Sequence, residues 1–154
     1  MLLMKSYTKP VLYLIGISFI VKLLLASTIE LGNDEVYYWT YVLRPDWNYF
    51  DHPPMVAWMI RMFSFNGWWA SELSLRLGSF VGAAFSTWFI FKTGKLIGNE
   101  RLGWYAALLY TASVYTGFIA GFFVLPDSPQ MPFWTGALYI MAYLVIHKSE
   151  EKNW

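Results

Sequence analysis

Between Arg101 and Asp127 the chain runs for 25 residues without a formal charge, LGWYAALLYTASVYTGFIAGFFVLP. At about 1.5 Å per helical residue that run exceeds the roughly 30 Å hydrocarbon core of a bilayer. Hydrocarbon offers the backbone no hydrogen-bond partners, so such a segment closes its own as a helix. Three other segments read the same way, giving spans at about 10–30, 76–95, 102–125 and 129–146. Lys22 interrupts the first. The second has an uncharged interior, 77–91, and its flanking cations reach the interfaces by snorkelling. Pro129 and Pro132 fall in the opening turns of the fourth, where a missing amide donor costs little. The expected fold class is all-α: a polytopic membrane protein with four transmembrane helices and a large first extracytoplasmic loop, 32–75.

Composition agrees. Of 154 residues 57% are hydrophobic and 14% charged, against about 25% charged in soluble domains. A net charge of +1 gives no electrostatic case for nucleic acid. Without cysteine there is neither a disulfide framework nor thiolate chemistry. Lys5 and Lys9 before an apolar run imitate a signal peptide, but Ala26-Ser27-Thr28 is a poor cleavage site, so the first span is expected to be retained.

Lysine and arginine set the orientation. With a cytoplasmic N-terminus, Lys5, Lys9, Lys92, Lys95, Arg101, Lys148 and Lys152 lie inside, against Arg44, Arg61 and Arg76 outside. Both termini are therefore expected in the cytoplasm of an integral plasma-membrane (bacterial-type inner-membrane) protein. The acids sort the other way. Glu30, Asp34, Glu35, Asp46, Asp51, Glu72 and Asp127 all fall outside, against Glu100, Glu150 and Glu151 inside. Insertion rules do not require that bias, which directs attention to the outer face.

The stretch 33–54, NDEVYYWTYVLRPDWNYFDHPP, concentrates the chemistry. Residues 34–43 read as a short helix capped by Asn33 or Asp34, broken at Pro45-Asp46. Pro53-Pro54 opens a second helix, MVAWMIRMF, and both are expected to lie along the membrane surface. Asp34 shares a helical face with Tyr37, Tyr38 and Tyr41, and a carboxylate with aromatic walls suits a general base for a hydroxyl nucleophile. The plainer reading is a cap, with Glu35 favouring the helix N-terminus. Asp51-His52 before two prolines suits a divalent cation or a phosphate neighbour, or else is a loop-to-helix junction. Asp127 either caps the fourth span with Ser128 or faces one cavity with Asp34. Arg76 pairs with Glu72 four residues earlier or meets a phosphate at the membrane surface. Lys22 snorkels, pairs with an acid of another helix, or touches a lipid phosphate. Tryptophans and tyrosines at span ends read mostly as interface belt.

The order of these motifs resembles a known family. An N-terminal span is followed by Asp34-Glu35 with Tyr37-Tyr38-Trp39. Tyr49-Phe50-Asp51-His52-Pro53-Pro54, Arg76 and Pro126-Asp127-Ser128-Pro129 come next. The series is similar to the N-terminal part of GT-C fold glycosyltransferases, in the protein mannosyltransferase and aminoarabinose transferase branch, glycosyltransferase family 39. The resemblance covers about residues 8–146. It implies inverting transfer of a sugar from a polyprenyl-phosphate-linked donor to a lipid, glycan or protein acceptor outside the membrane, with membrane lipids and no nucleic acid as partners. By the same match Asp34 would be the base, with Glu35 beside it and Asp127 facing it. Asp51 would take a divalent metal. Arg76, His52 and Tyr38 would contact the substrate or its phosphate. Relatives carry about a dozen spans, so the chain reads as a truncated N-terminal part, expected to be inactive alone. A non-catalytic membrane protein acting as an assembly partner, or a remnant, is the second reading. A transporter fragment is the third, disfavoured because the acids lie in loops.

Overall fold

The computed structural model describes residues 6–151, with side chains described for 6–147. Lys5 and Lys152, and the side chains of Lys148, Glu150 and Glu151, all used in the orientation argument, lie outside the described residues. The described chain is helical, without strand. Two helices are long and apolar enough to cross a membrane, α1 (Thr8–Ala26) and α4 (Glu72–Ile97). A third candidate is a broken pair: α5 (Glu100–Ala112) bends by 68° into a π-helical segment, Val114–Ile119, that runs into α6 (Ala120–Phe122). The uninterrupted run 102–125 is thus not one straight helix. Ser113 is extended at the break, and the Thr116 hydroxyl donates to the carbonyl of Tyr110, which the break has freed. Gly117 makes the tight reversal feasible, since a Cβ there would stand 1.9 Å from the Thr111 carbonyl oxygen. α7 (Asp127–Glu151) has the length of a span, 25 residues, but falls below the apolarity of the other three. The expected fourth span is therefore matched in place and length and not in hydropathy.

α4 is the central post. α5 crosses it where Gly94 faces Gly103, each leaving no room for a Cβ on the other helix. Small residues at such a crossing let the backbones approach closely. At the same end Asn99 caps α5 through the Leu102 amide, and Glu100 accepts from Lys95 Nζ and from the Tyr7 amide, both at 2.6 Å.

The opposite end carries the loop chemistry. α2 (Asn33–Leu43) and α3 (Met55–Phe63) pack through Tyr38, Tyr41, Val42, Val56, Ala57 and Ile60 onto Leu75 of α4 and Val124. They form a folded layer over the end of the bundle. Gly32, not Asn33 or Asp34, is the cap of α2, and Glu35 reaches back to accept from the Gly32 amide at 3.0 Å. α4 begins a turn before the expected span because Ser71 and Ser74 bond each other's amides reciprocally.

Candidate functional site

Glu35 and Arg76 are the first surprise. Sequence spacing pairs Arg76 with Glu72, yet its guanidinium grips Glu35, 41 residues upstream, at 2.8 and 2.6 Å in a two-pronged contact. It also donates to the carbonyls of Ile29 at 2.7 Å and Glu30 at 2.9 Å, and stands 4.9 Å from the ring centre of Phe122. Glu35 Oε1 accepts in addition from the Val124 amide. The two residues are 0% and 1% exposed. One ion pair therefore ties together the end of α1, the start of α2, α4 and the segment after α6. A phosphate could reach Arg76 only by breaking this set, and an acceptor could reach Glu35 only in the same way. The structure turns both inward, because a bidentate pair with every remaining lone pair occupied is what makes two buried charges tolerable.

Asp51 gathers the phenols. Tyr37 donates to its Oδ1 at 3.0 Å, and Tyr41 donates to the same oxygen. The Tyr41 ring stacks on Tyr49 at 3.7 Å, and the Tyr49 hydroxyl is anchored on the Tyr41 carbonyl at 2.8 Å. These bonds, Tyr41 first, hold the Asp51 carboxyl below the usual carboxylate range. Tyr37 and Tyr41 were expected to wall Asp34. Their hydroxyls serve Asp51 instead, a residue that sequence spacing does not connect to them.

His52 Nδ1 stands 3.1 Å from Asp51 Oδ2, close enough for an ion pair with a protonated ring but not aligned as a hydrogen bond. Its ring meets Tyr38 edge-on, centroids 5.5 Å apart. Tyr38 is buried at the middle of the cluster. Burial first, then the charges of Asp34 and Asp51, then Tyr37 and Asp127, push its phenol up. The negative charge of three carboxylates, Asp34, Asp51 and Asp127, is thus felt at one ring. Asp34 is exposed, and Asp127 accepts from the Tyr115 hydroxyl at 2.5 Å.

Asp127 and His52 line a cleft of about 570 Å³ with Gln130. Met55, Pro129 and Phe133 are shared with a second cavity of about 690 Å³ whose walls are almost wholly apolar. That groove follows α4 from Gly78 to Phe89, about 16 Å at helical rise, between α3 and α7. The cleft that bears His52, Asp127 and Gln130 therefore shares walls with a slot suited to a long hydrocarbon.

A metal at Asp51 fits incompletely. Asp51 and His52 supply two donors, and among the described residues no group of three His, Cys, Asp or Glu side chains could hold an ion. Zinc takes four ligands and calcium six or more, so this pair alone does not complete either shell.

Sequence reasoning missed Tyr37 and Tyr41 as partners of Asp51, Tyr115 as the partner of Asp127, and the Val124 amide on Glu35. Only the i, i+4 spacing of the two tyrosines carried a signal.

The family model of dolichyl-phosphate-mannose-protein mannosyltransferase matches residues 51–154. No curated protein and no solved structure matches the chain. The match takes in Asp51, His52, Arg76 and Asp127, and begins after Asp34, Glu35 and Tyr38. The family is one of glycosyltransferases that take lipid-linked sugar donors in a membrane. With two-thirds of its length matched, the cleft of Asp127 and His52 included, the chain belongs to the dolichyl-phosphate-mannose-protein mannosyltransferase family.

Proposed function

We propose that this chain builds the acceptor-activating side of a glycosyltransferase site on the extracytoplasmic face of the membrane. The sugar comes from a polyprenyl-phosphate donor and is transferred with inversion. The observation that carries the reading is the cleft lined by Asp127 and His52, which shares Met55, Pro129 and Phe133 with the long apolar groove. A lipid-linked sugar needs both surroundings at once, an apolar slot for its chain and polar groups at the phosphate and sugar.

In this scheme Asp34, exposed and next to the anchored Glu35, accepts the proton of the acceptor hydroxyl as its oxygen attacks the anomeric carbon. The bond to phosphate breaks on the opposite face, which gives inversion. Glu35 and Arg76 enter as positioning residues that fix the start of α2, and hence Asp34, against the bundle. Asp127 orients the acceptor from the far wall. His52, 3.1 Å from Asp51 and on the wall of the cleft, is placed to donate to the leaving phosphate. The divalent cation implied at Asp51 would need ligands beyond Asp51 and His52, and no step runs through it.

Membrane vesicles holding a full-length transferase that contains this chain, with a labelled polyprenyl-phosphate hexose, test the scheme. Asp34→Asn should lower transfer by about 10²-fold or more, the scale of a lost general base, while membrane insertion is unchanged. Transfer that survives the substitution removes Asp34 as the base.

A further inference from the structure

Lys22 is used by none of this. It lies on α1, 8% exposed, and its ammonium makes no hydrogen bond or ion pair among the described residues. It borders a small gap with Ala83 and Ala84, which stand at the midpoint of the 26-residue α4. With α4 as a membrane span, the ammonium lies level with its middle, roughly 15 Å from either edge of the hydrocarbon core. Charge at that depth is costly unless it is answered.

The surroundings are made for something else to answer it. Lys22 opens on a crevice of about 350 Å³ between α1 and the break after α5, lined also by Ser18, Thr111, Ser113 and Gly117. Room for the ammonium comes from Gly121, where a Cβ would stand 3.0 Å from Nζ. Around the crevice the surface is apolar, with Val21, Leu24, Val114 and Phe118 all exposed. A buried cation and hydroxyls set in an apolar wall call for an anion carried by an apolar body.

We propose that this crevice is the docking place of a further transmembrane helix that bears a carboxylate at mid-membrane depth, paired to Lys22. Depth selects a helix over a phospholipid, whose phosphate would have to sink some 15 Å below its own layer. A second copy of this chain does not supply the acid from its described residues. Glu30, Asp34, Glu35, Asp46, Asp51, Glu72, Glu100 and Asp127 all sit in loops or at helix starts.

The test uses synthetic leucine-rich transmembrane peptides of about 20 residues, carrying Glu or Gln at the centre or Glu near one end. The protein is reconstituted in phosphatidylcholine vesicles and labelled at a single cysteine replacing exposed Trp47, and energy transfer reads association. The central-Glu peptide should associate at least tenfold more strongly than the central-Gln and end-Glu peptides. In Lys22→Met that preference should fall to within twofold, in Lys22→Arg it should persist, and in Lys22→Glu it should pass to a central-Lys peptide. No preference in the wild-type protein overturns the proposal, as does a preference that Lys22→Met leaves intact. Should Lys22→Met fail to fold, the depth dependence in the wild-type protein still decides. If phosphatidylglycerol abolishes the central-Glu preference in the wild type, the site belongs to a lipid phosphate and the helix proposal falls.

Discussion

Replacing Arg76 by Ala strands the Glu35 carboxylate in the interior without its cation. The carboxylate keeps the amides of Gly32 and Val124, while the carbonyls of Ile29 and Glu30 lose their donor. Removing one partner of a buried ion pair costs about 3–5 kcal/mol, far more than the pair itself adds over a neutral replacement. At roughly 2–4 °C per kcal/mol for a chain of this size, the melting midpoint should fall by about 6–20 °C. Tryptophan fluorescence or thermal size-exclusion of the detergent-solubilised protein measures it. Arg76→Lys should fall between, because an ammonium cannot reproduce the fork that holds both carboxylate oxygens and two carbonyls. Glu35→Gln combined with Arg76→Met should recover part of the loss, giving a coupling of about 1–3 kcal/mol in a double-mutant cycle. An Arg76→Ala protein that melts within 2 °C of the wild type, yet loses affinity for polyprenyl phosphate, would refute the brace and return Arg76 to the substrate.

Tyr41→Phe removes the first of the bonds that depress Asp51, so its carboxyl should move up toward the ordinary range near 4. A depressed group stabilises the fold above its unfolded pKa and ceases to as the pH falls through its folded one. The wild-type melting temperature should therefore hold to lower pH than that of Tyr41→Phe, and coincident curves between pH 3 and 6 would refute the link. Gly103→Val places branched carbons where a Cβ alone already meets the Phe91 carbonyl oxygen at 2.5 Å, so α5 must lift from α4. A loss of about 1–3 kcal/mol is expected, read as a lower melting midpoint, and Gly94→Val should not add to it fully, since both act on one crossing.

How much of the site was readable differs residue by residue. Asp51 and His52 were placed at the entrance of α3 because two prolines constrain what can follow them, and α3 starts at Met55 as that predicts. Asp127 at the head of α7 was equally local. That Asp34 and Asp127 would face one place rested on topology; the cleft is lined by Asp127 and not by Asp34, and the two share only an influence on the Tyr38 phenol. Of the two readings of Arg76, the pairing with Glu72 gave way to Glu35 for a physical reason. A cation four residues after Glu72 looks like a surface pair, and nothing within α4 reveals that the first loop folds back over that face.

What the sequence determined by itself is what short-range physics controls. Long uncharged runs must be helical in lipid, prolines and glycines mark where helices stop, and 14% charge forbids an ordinary soluble surface. Tertiary structure alone decided which charges are spent and which are free. Glu35 and Asp34 are neighbours in sequence, yet a helix sends adjacent side chains about 100° apart, so one is sealed against Arg76 and the other faces water. The uncharged run after Arg101 likewise fixed a helical segment but not its 68° break, which depends on Gly117 fitting against Thr111 and on the Thr116 hydroxyl taking a freed carbonyl. Hydrophobicity sums over a window and is blind to direction, whereas burial depends on which neighbour arrives from elsewhere in the chain.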